Sequence, residues 1–505
     1  VLEQRRRPRA AGGNAELGIT GADGLDVVGA ALLGDLEAAA QRRVKQAGPL
    51  AVQPPAPAEP SPAATAAGYA PGYRHYVMSA LLGIYALNFL DRQIVNILAE
   101  PIKRDLGLAD WQLGLMSGFA FALFYTFLGI PIARLAETGN RVRIIAAAMA
   151  VWSLFTIFCG FAQTFIQLLL LRIGVGVGEA GCSPPSHSLI TDYVPREKRA
   201  SALAFYSLGI PLGSLAGMLF GGVVADLHGW RTAFILAGAP GLALALIAVL
   251  TLREPRLAAA RSVAGKRASA PKPRFADAMR ELRSKRSFWW MSGGAAMKAF
   301  ITYGQMAFYG SFFFRNHGDG LAVLAGRIEG ATGIAFGPSG LLGLALGLIL
   351  GVFGALGIFI GGRISDRLAA TDVGGYMLVP ALSIALATPF QIAALLTDDL
   401  LLAFALLAIP TALNSFYYGP VAASVQSLVQ PHTRATASAI LFFIVNLIGL
   451  GLGPLAIGAL SDLLGRSLGE AEGLRQAMIW SAVIGVAAGV LFLRARRTIR
   501  AEIVS

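Results

Sequence analysis

From residue 75 to residue 493 the chain repeats one unit: an apolar stretch about as long as a bilayer is thick, then a polar turn. A helix needs about 20 mostly apolar residues to cross the hydrocarbon core. Stretches of that size fall at roughly 75–98, 111–133, 143–162, 165–188, 200–226, 231–252, 288–314, 339–361, 376–396, 400–428, 434–458 and 474–493. They predict twelve membrane helices. Membrane strands are excluded, because period-two alternation is absent and the apolar runs are too long. Composition agrees: 55% of residues are hydrophobic and 14% charged, where a soluble domain carries about 25% charged. A net charge of +13 by itself suggests a nucleic-acid partner. The placement of the basic residues argues against one, since they sit in short runs between apolar stretches, as topogenic charges do.

Residues 1–72 differ in composition. They open with "RRRPR", pass through a weakly amphipathic Ala/Leu stretch and end in "VQPPAPAEPSPAATAAGYAPG". Pro and Ala dominate and no buried face can be assembled, so a disordered cytoplasmic extension is expected. A signal peptide is not expected, because no clean apolar run follows the arginines. Cys159 and Cys182 lie near opposite ends of neighbouring spans, which argues against a bridge.

Orientation follows from lysine and arginine bias. Residues 253–286 carry eleven such residues, from Arg253 to Arg286; the turns at 134–143 and 195–199 and the tail "RARRTIR" are basic too. The turns at 163–164 and 397–399 have no Lys or Arg. An even number of spans then puts both termini in the cytoplasm of a cell whose inner (plasma) membrane holds the protein. The expected organisation is the extension 1–72, a six-helix bundle 73–252, a basic cytoplasmic linker 253–287, a second six-helix bundle 288–495 and a tail 496–505.

The halves align with each other. "PREKRASA" at 195–202 answers "PHTRATAS" at 431–438, and adding 236 carries Gly213 to Gly449, Gly217 to Gly453, Gly222 to Gly458 and Asp226 to Asp462. Earlier in each half, "ARLAET" (133–138) answers "GRISDR" (362–367) at an offset of 229. Six spans separate the copies, so the repeats are parallel and related by an axis along the membrane normal. Asp226 and Asp462 end equivalent spans and are read as caps or gate contacts.

This layout, with its "GxLADRxGRR"-like turns after spans two and eight, resembles the major facilitator superfamily over residues 75–495. The first turn is degenerate: Ala133, Glu137 and Asn140 stand where the family has Gly, Asp and Gly, whereas the second keeps Gly362, Asp366 and Arg367. Within that superfamily, "NFLDR" in span one and "RIGVGVGEAGCSPPSHSLITDYVP" in span four resemble the spinster-like subgroup. The resemblance implies an all-α fold of two pseudo-symmetric bundles, no enzymatic activity, and export of lysophospholipids or sphingosine phosphate with proton coupling.

Ionisable residues inside spans are costly and mark function. Counting helix rise, Asp91 and Arg172 both lie about 10 Å below the outer surface, so they meet at one level if spans one and four are neighbours. Glu179 is two turns further in on the face of Arg172, and Arg92 points about 100° from Asp91. Asp91 and Glu179 are the candidate proton-coupling residues; Arg92 and Arg172 are candidates for charge pairing and for an anionic head group, whose geometry a guanidinium fork matches. The alternative for all four is a static ion-pair cluster that fixes helix register. His187 is read as a structural histidine or a proton relay.

Beyond Lys298, the second half shows almost no ionisable residue inside its spans. Lys298, Asn414, Tyr417, Tyr418 and Asn446 are the candidate cavity lining. One charged wall and one apolar wall suit an amphipathic anionic or zwitterionic lipid; the alternative is a small organic anion or drug. Glycines recur every fourth residue at Gly209, Gly213, Gly217 and Gly221 in span five and at Gly343, Gly347 and Gly351 in span eight. Such ridges let helices approach closely, either across the halves as a gate or within each half. Pro184 and Pro185 are expected to break span four. No HExxH, GxSxG or Walker motif is present, so no enzyme and no ATP-driven pump is expected. The partners expected are a lipid-like small molecule, protons and membrane lipids, with no cofactor and no metal, for a chain acting as a monomer.

Overall fold

A computed structural model describes residues 69–195, 198–256, 275–333, 336–430 and 433–503. The expected extension 1–72 and the middle of the 253–287 linker lie almost wholly outside these residues. Everything regular among the described residues is helical.

Twelve membrane helices follow one another. Helix α1 is Pro71–Leu106; α2 runs from Asp110 to Thr138 through a π turn at Leu115–Phe119; α3 is Arg141–Cys159. Helix α4 comes in two pieces, Phe165–Glu179 and Ser183–Tyr193. Helices α5 (199–228) and α6 (230–251) are continuous in hydrogen bonding but broken at Gly229, whose φ of 80° needs a residue without Cβ. In the second half α7 is Arg286–Thr332, bent at His317; α8 runs from Pro338 to Ala369 with a π turn at Ile349–Phe353; α9 is Gly375–Leu396. Helix α10 comprises Leu400–Asn414 and Tyr418–Leu428, α11 runs from Arg434 to Leu468 with a π segment at Val445–Leu452, and α12 is Glu470–Glu502. A short helix, Phe275–Ser284, precedes α7. Among the described residues nine helices are long and apolar enough to cross a membrane, one of them (Ser201–Thr251) covering both α5 and α6. Helices α1 and α7, interrupted by charged residues, complete the set.

Local chemistry sets several ends. Asn140, Thr164 and Asp399 each accept a hydrogen bond from a first-turn N–H of α3, α4 and α10. Pro184 and Pro185 do not kink a continuous α4. The first piece stops at Glu179, and the prolines occupy the first turn of the second, where a missing N–H costs nothing. Cys159 and Cys182 are buried free thiols.

The halves meet through the repeat. A Cβ built on Gly222 of α5 would lie 2.1 Å from Ser339 O of α8, and one on Gly458 of α11 would lie 2.3 Å from Asp110 O of α2. Deeper in, Gly343 faces Met218 O at 2.1 Å and Gly114 faces Pro454 O at 2.2 Å. The offsets 229 and 236 carry each pair onto the other. Backbone therefore touches backbone twice, at α5–α8 and at α2–α11, and only glycine fits there.

The two glycine ridges do not face each other. Gly209, Gly213, Gly217 and Gly221 pack on Tyr85, Ala86, Leu90 and Ile94 of α1, inside the first half. Gly343, Gly347 and Gly351 pack on Met218, Leu215 and Pro211 of α5, across the halves.

Hydrogen bonds and ion pairs that cross between the halves gather at the end remote from the linker. Asp226 accepts from Ser339 N (3.1 Å) and Gly340 N (2.7 Å) at the start of α8; Asp462 accepts from Asp110 N (2.9 Å) and Trp111 N (2.8 Å) at the start of α2. Each carboxylate meets the positive end of a helix across the interface. Arg315 of α7 pairs with Glu100 (2.8 Å) and Asp110 (2.7 Å), and Lys103 bridges Asp110 and Glu470, both at 2.9 Å. At the linker end the networks among the described residues stay within a half. Arg141 binds Glu254 and Asp192 in the first; Arg500 binds Asp372 and Ser287 N donates to Glu502 in the second. The structure is closed at the far end.

Candidate functional site

Span-one and span-four charges come together because α1 and α4 pack side by side. Arg172 Nη1 donates to Asp91 Oδ2 at 3.0 Å, and Arg92 Nε donates to Glu179 Oε2 at 2.6 Å. Asp91 also accepts from Thr156 Oγ1 of α3 at 2.5 Å. Asp91, Arg172 and Glu179 are all 3% exposed or less, whereas the Arg92 side chain keeps 18%. Arg92 is therefore the member nearest open space. Two adjacent residues on α1 bind two residues on α4 that are seven apart.

Aromatic faces surround the guanidinium groups. Arg92 lies over Tyr125 at 4.6 Å, Phe121 at 5.0 Å and Phe89 at 5.2 Å from the ring centroids, and Arg172 over Phe121 at 5.9 Å. Such contacts lower the cost of holding a cation away from water. Hydrogen bonding is incomplete: Glu179 Oε1, Arg172 Nε and both polar atoms of Asn88, one turn before Arg92, are buried without a partner among the described residues. The Glu179 carboxylate thus holds Arg92 through one oxygen, with the other unpaired among the described residues.

Thr156, Asn88, Phe121 and Tyr125 escape sequence reasoning. Asn88 carried a usable signal, sitting three and four residues before Asp91 and Arg92 on their helical face. Thr156 and the aromatics come from α3 and α2, and only packing brings them in.

The second half places its candidates differently. Lys298 is buried at 2% exposure and its Nζ donates to Thr302 Oγ1 at 2.7 Å. Asn414 ends the first piece of α10; Tyr417 in the break and Tyr418 at the start of the second piece lie with ring centroids 4.2 Å apart, tilted by 34°. Asn446 lies in the π segment of α11. His187 rests edge-on against Tyr206 at 5.3 Å and forms no part of the charge cluster. The second half is not purely apolar inside: Gln305 of α7 donates to Met478 O and Ser481 Oγ of α12, and Gln391 of α9 donates to Tyr309 OH at 3.1 Å. Among the described residues no group of His, Cys, Asp and Glu side chains could hold a metal ion.

Twelve helices in two repeated bundles, the first of them holding a cluster of buried charges, are the architecture of a secondary transporter. The signature of the Major Facilitator Superfamily matches residues 81–454, and the chain belongs to that family. Within it the chain is a spinster-like protein. It is similar to a bacterial homolog of the human lysosomal transporter spinster, solved in inward-facing unoccupied and occupied conformations. Each superposes with a TM-score of 0.74 at 34% identity over 86% of this chain and 100% of that one. It is 34% identical to an MFS-type efflux pump of Mycolicibacterium smegmatis over 79% of this chain and 86% of the relative. Human protein spinster homolog 1 is 29% identical over 84% of this chain and 81% of its own length.

Proposed function

We propose that this protein moves an amphipathic anionic or zwitterionic lipid, of the lysophospholipid or sphingosine-phosphate class, by alternating access coupled to protons. One observation carries the coupling. Glu179 is fully buried, holds one guanidinium through one oxygen and leaves the other oxygen unpaired. Protonation would release Arg92, the most exposed member of the cluster, to an anionic head group; deprotonation would recapture it. Asp91, held by both Arg172 and Thr156, is the tighter member and the second proton site. The spinster likeness supports the lipid class, and so do the largely apolar helices that line the second half.

The basic linker and basic tail support cytoplasmic termini in the inner (plasma) membrane. With that orientation the closed far end faces outward and the transporter is inward-facing. The charge cluster lies within a single chain, which supports a monomer as the working unit.

Reconstituted liposomes carrying a fluorescent lysophospholipid, with and without a pH gradient, test the proposal. The expected outcome is gradient-dependent movement by wild type and none by Glu179→Gln. Movement by both, indifferent to pH, would make the cluster structural. A second reading, a proton-coupled carrier of a small organic anion or drug, is favoured by the efflux-pump relative. Under that reading the lysolipid stays put and does not compete for uptake.

A further inference from the structure

Among the described residues of the interior, Lys298 stands outside the charge balance. Arg92 and Arg172 are matched by Glu179 and Asp91, and the far-end cations Lys103 and Arg315 by Glu100, Asp110 and Glu470. Lys298 is equally buried at half depth in α7, yet no carboxylate among the described residues lies within ion-pair distance. Among the described residues its only hydrogen-bond partner is the neutral Thr302 hydroxyl, which itself donates to Lys298 O at 3.0 Å. An ammonium has three N–H donors, and two are left over. Keeping this lysine charged inside a bilayer with one neutral partner is expensive, and an anion at its side would offset that cost.

A small cavity opens beside this side chain, between α7, α9, α10 and α12. Its polar lining is Lys298, Gln305, Thr388, Gln391 and Asn414. Part of the lining is already committed: Gln305 Oε1 accepts from Tyr309 OH, and the Thr388 hydroxyl spends its proton on Ile384 O. Donors remain, from the Lys298 ammonium and the NH2 of Asn414, whose side-chain amide makes no hydrogen bond among the described residues. The free space is of the order of one water molecule or one halide ion.

We propose that the Lys298 cavity binds one small monovalent inorganic anion of chloride size, separate from the Asp91–Arg172 and Arg92–Glu179 cluster. The anion accepts from the lysine and from Asn414 and brings the second half to the neutrality that the first half reaches with its own carboxylates. The site is independent of what the transporter carries.

The test uses the full chain purified in detergent. Melting temperature is followed as sodium chloride or bromide replaces sodium gluconate at constant ionic strength, for wild type and Lys298→Met. The methionine variant keeps the length of the side chain and removes the charge. The expected result is a saturable rise in wild type and a flat line in the variant. An unresponsive wild type, or the same rise in both proteins, would overturn the proposal. Crystals grown in bromide give a second readout that does not need the variant to fold. An anomalous peak at contact distance from Lys298 Nζ is expected, and its absence at saturating bromide would sink the site.

Discussion

At the far end the two halves make one contact twice. Asp226 caps α8 as Asp462 caps α2, and Gly222 meets Ser339 as Gly458 meets Asp110. Behind that interface the halves part company. The first holds two cations and two anions in mutual pairs at the centre of its bundle; the second holds a single lysine among amides and hydroxyls. The contrast separates two kinds of constraint. Where backbone lies against backbone, any Cβ collides, so both copies keep glycine. Where side chains face an internal space, many sets of residues fill it, and the copies are free to specialise. Closing is shared by the halves, and charge chemistry belongs to one.

The largest test of the contrast is charge removal. Arg172→Ala strands Asp91 in the first half, and breaking one partner of a buried pair costs about 3–5 kcal/mol. A fall in melting temperature is expected, partly restored in the double variant Arg172→Ala/Asp91→Ala. Lys298→Met strands no opposite charge and should move the melt far less. Equal losses from the two single variants would remove the distinction between the halves.

Overpacking the repeated interface comes next. Gly343→Val and Gly114→Val each push a side chain into backbone, at about 1–3 kcal/mol against the closed far end. Both should raise labelling of a cysteine placed at buried Ser461, over a low background from the buried Cys159 and Cys182. Opening by one variant alone would show that the copies do not share the gate. Asp226→Ala and Asp462→Ala act on the same interface more weakly, about 1 kcal/mol each by loss of a helix cap. Their labelling rates should match each other and fall below those of the valine variants.

The smallest effect compares linker-end anchors outside the membrane. Burial pushes the Glu254 carboxyl up, but the hydrogen bonds and charge of Arg141 outweigh it and hold the group below the usual carboxylate range. Asp372 is held lower by Arg500 and by the Gly374 N–H. Both folded values are depressed. Their stabilisation is therefore complete above the unfolded carboxylate value, about pH 4, and disappears as pH falls through the folded value. The gap in melting temperature between wild type and Glu254→Gln should close on acidification in that window. Asp372→Asn should give a smaller gap of the same sign, because solvent screens the exposed pair. A gap that widens with acid would contradict the assignment.

Much of the fold was legible because the bilayer imposes a length on every element. The apolar runs located twelve helices and the offsets located the repeat. The same offsets held a signal that went unused: Gly343 and Gly347 map onto Gly114 and Gly118, which pack across the halves in the same way. Charged helix ends were less legible. Lys103, Asp110, Arg315 and Glu470 flank apolar runs and carry no pattern that singles them out, yet they join the halves at the far end. The π turns in α2, α8 and α11 leave no pattern in hydrophobicity at all.

The sequence by itself determined the number of helices, their pairing into repeats and which ionisable residues lie at membrane depth, because the cost of exposing polar groups to lipid acts on each segment separately. Tertiary structure decided who meets whom. It paired Arg92 with Glu179 rather than Asp91, turned the α5 ridge inward onto α1 and the α8 ridge across the halves, and left Lys298 without an anion of its own. Those outcomes depend on the rotation and spacing of neighbouring helices, set by close packing over the whole bundle rather than by any one segment.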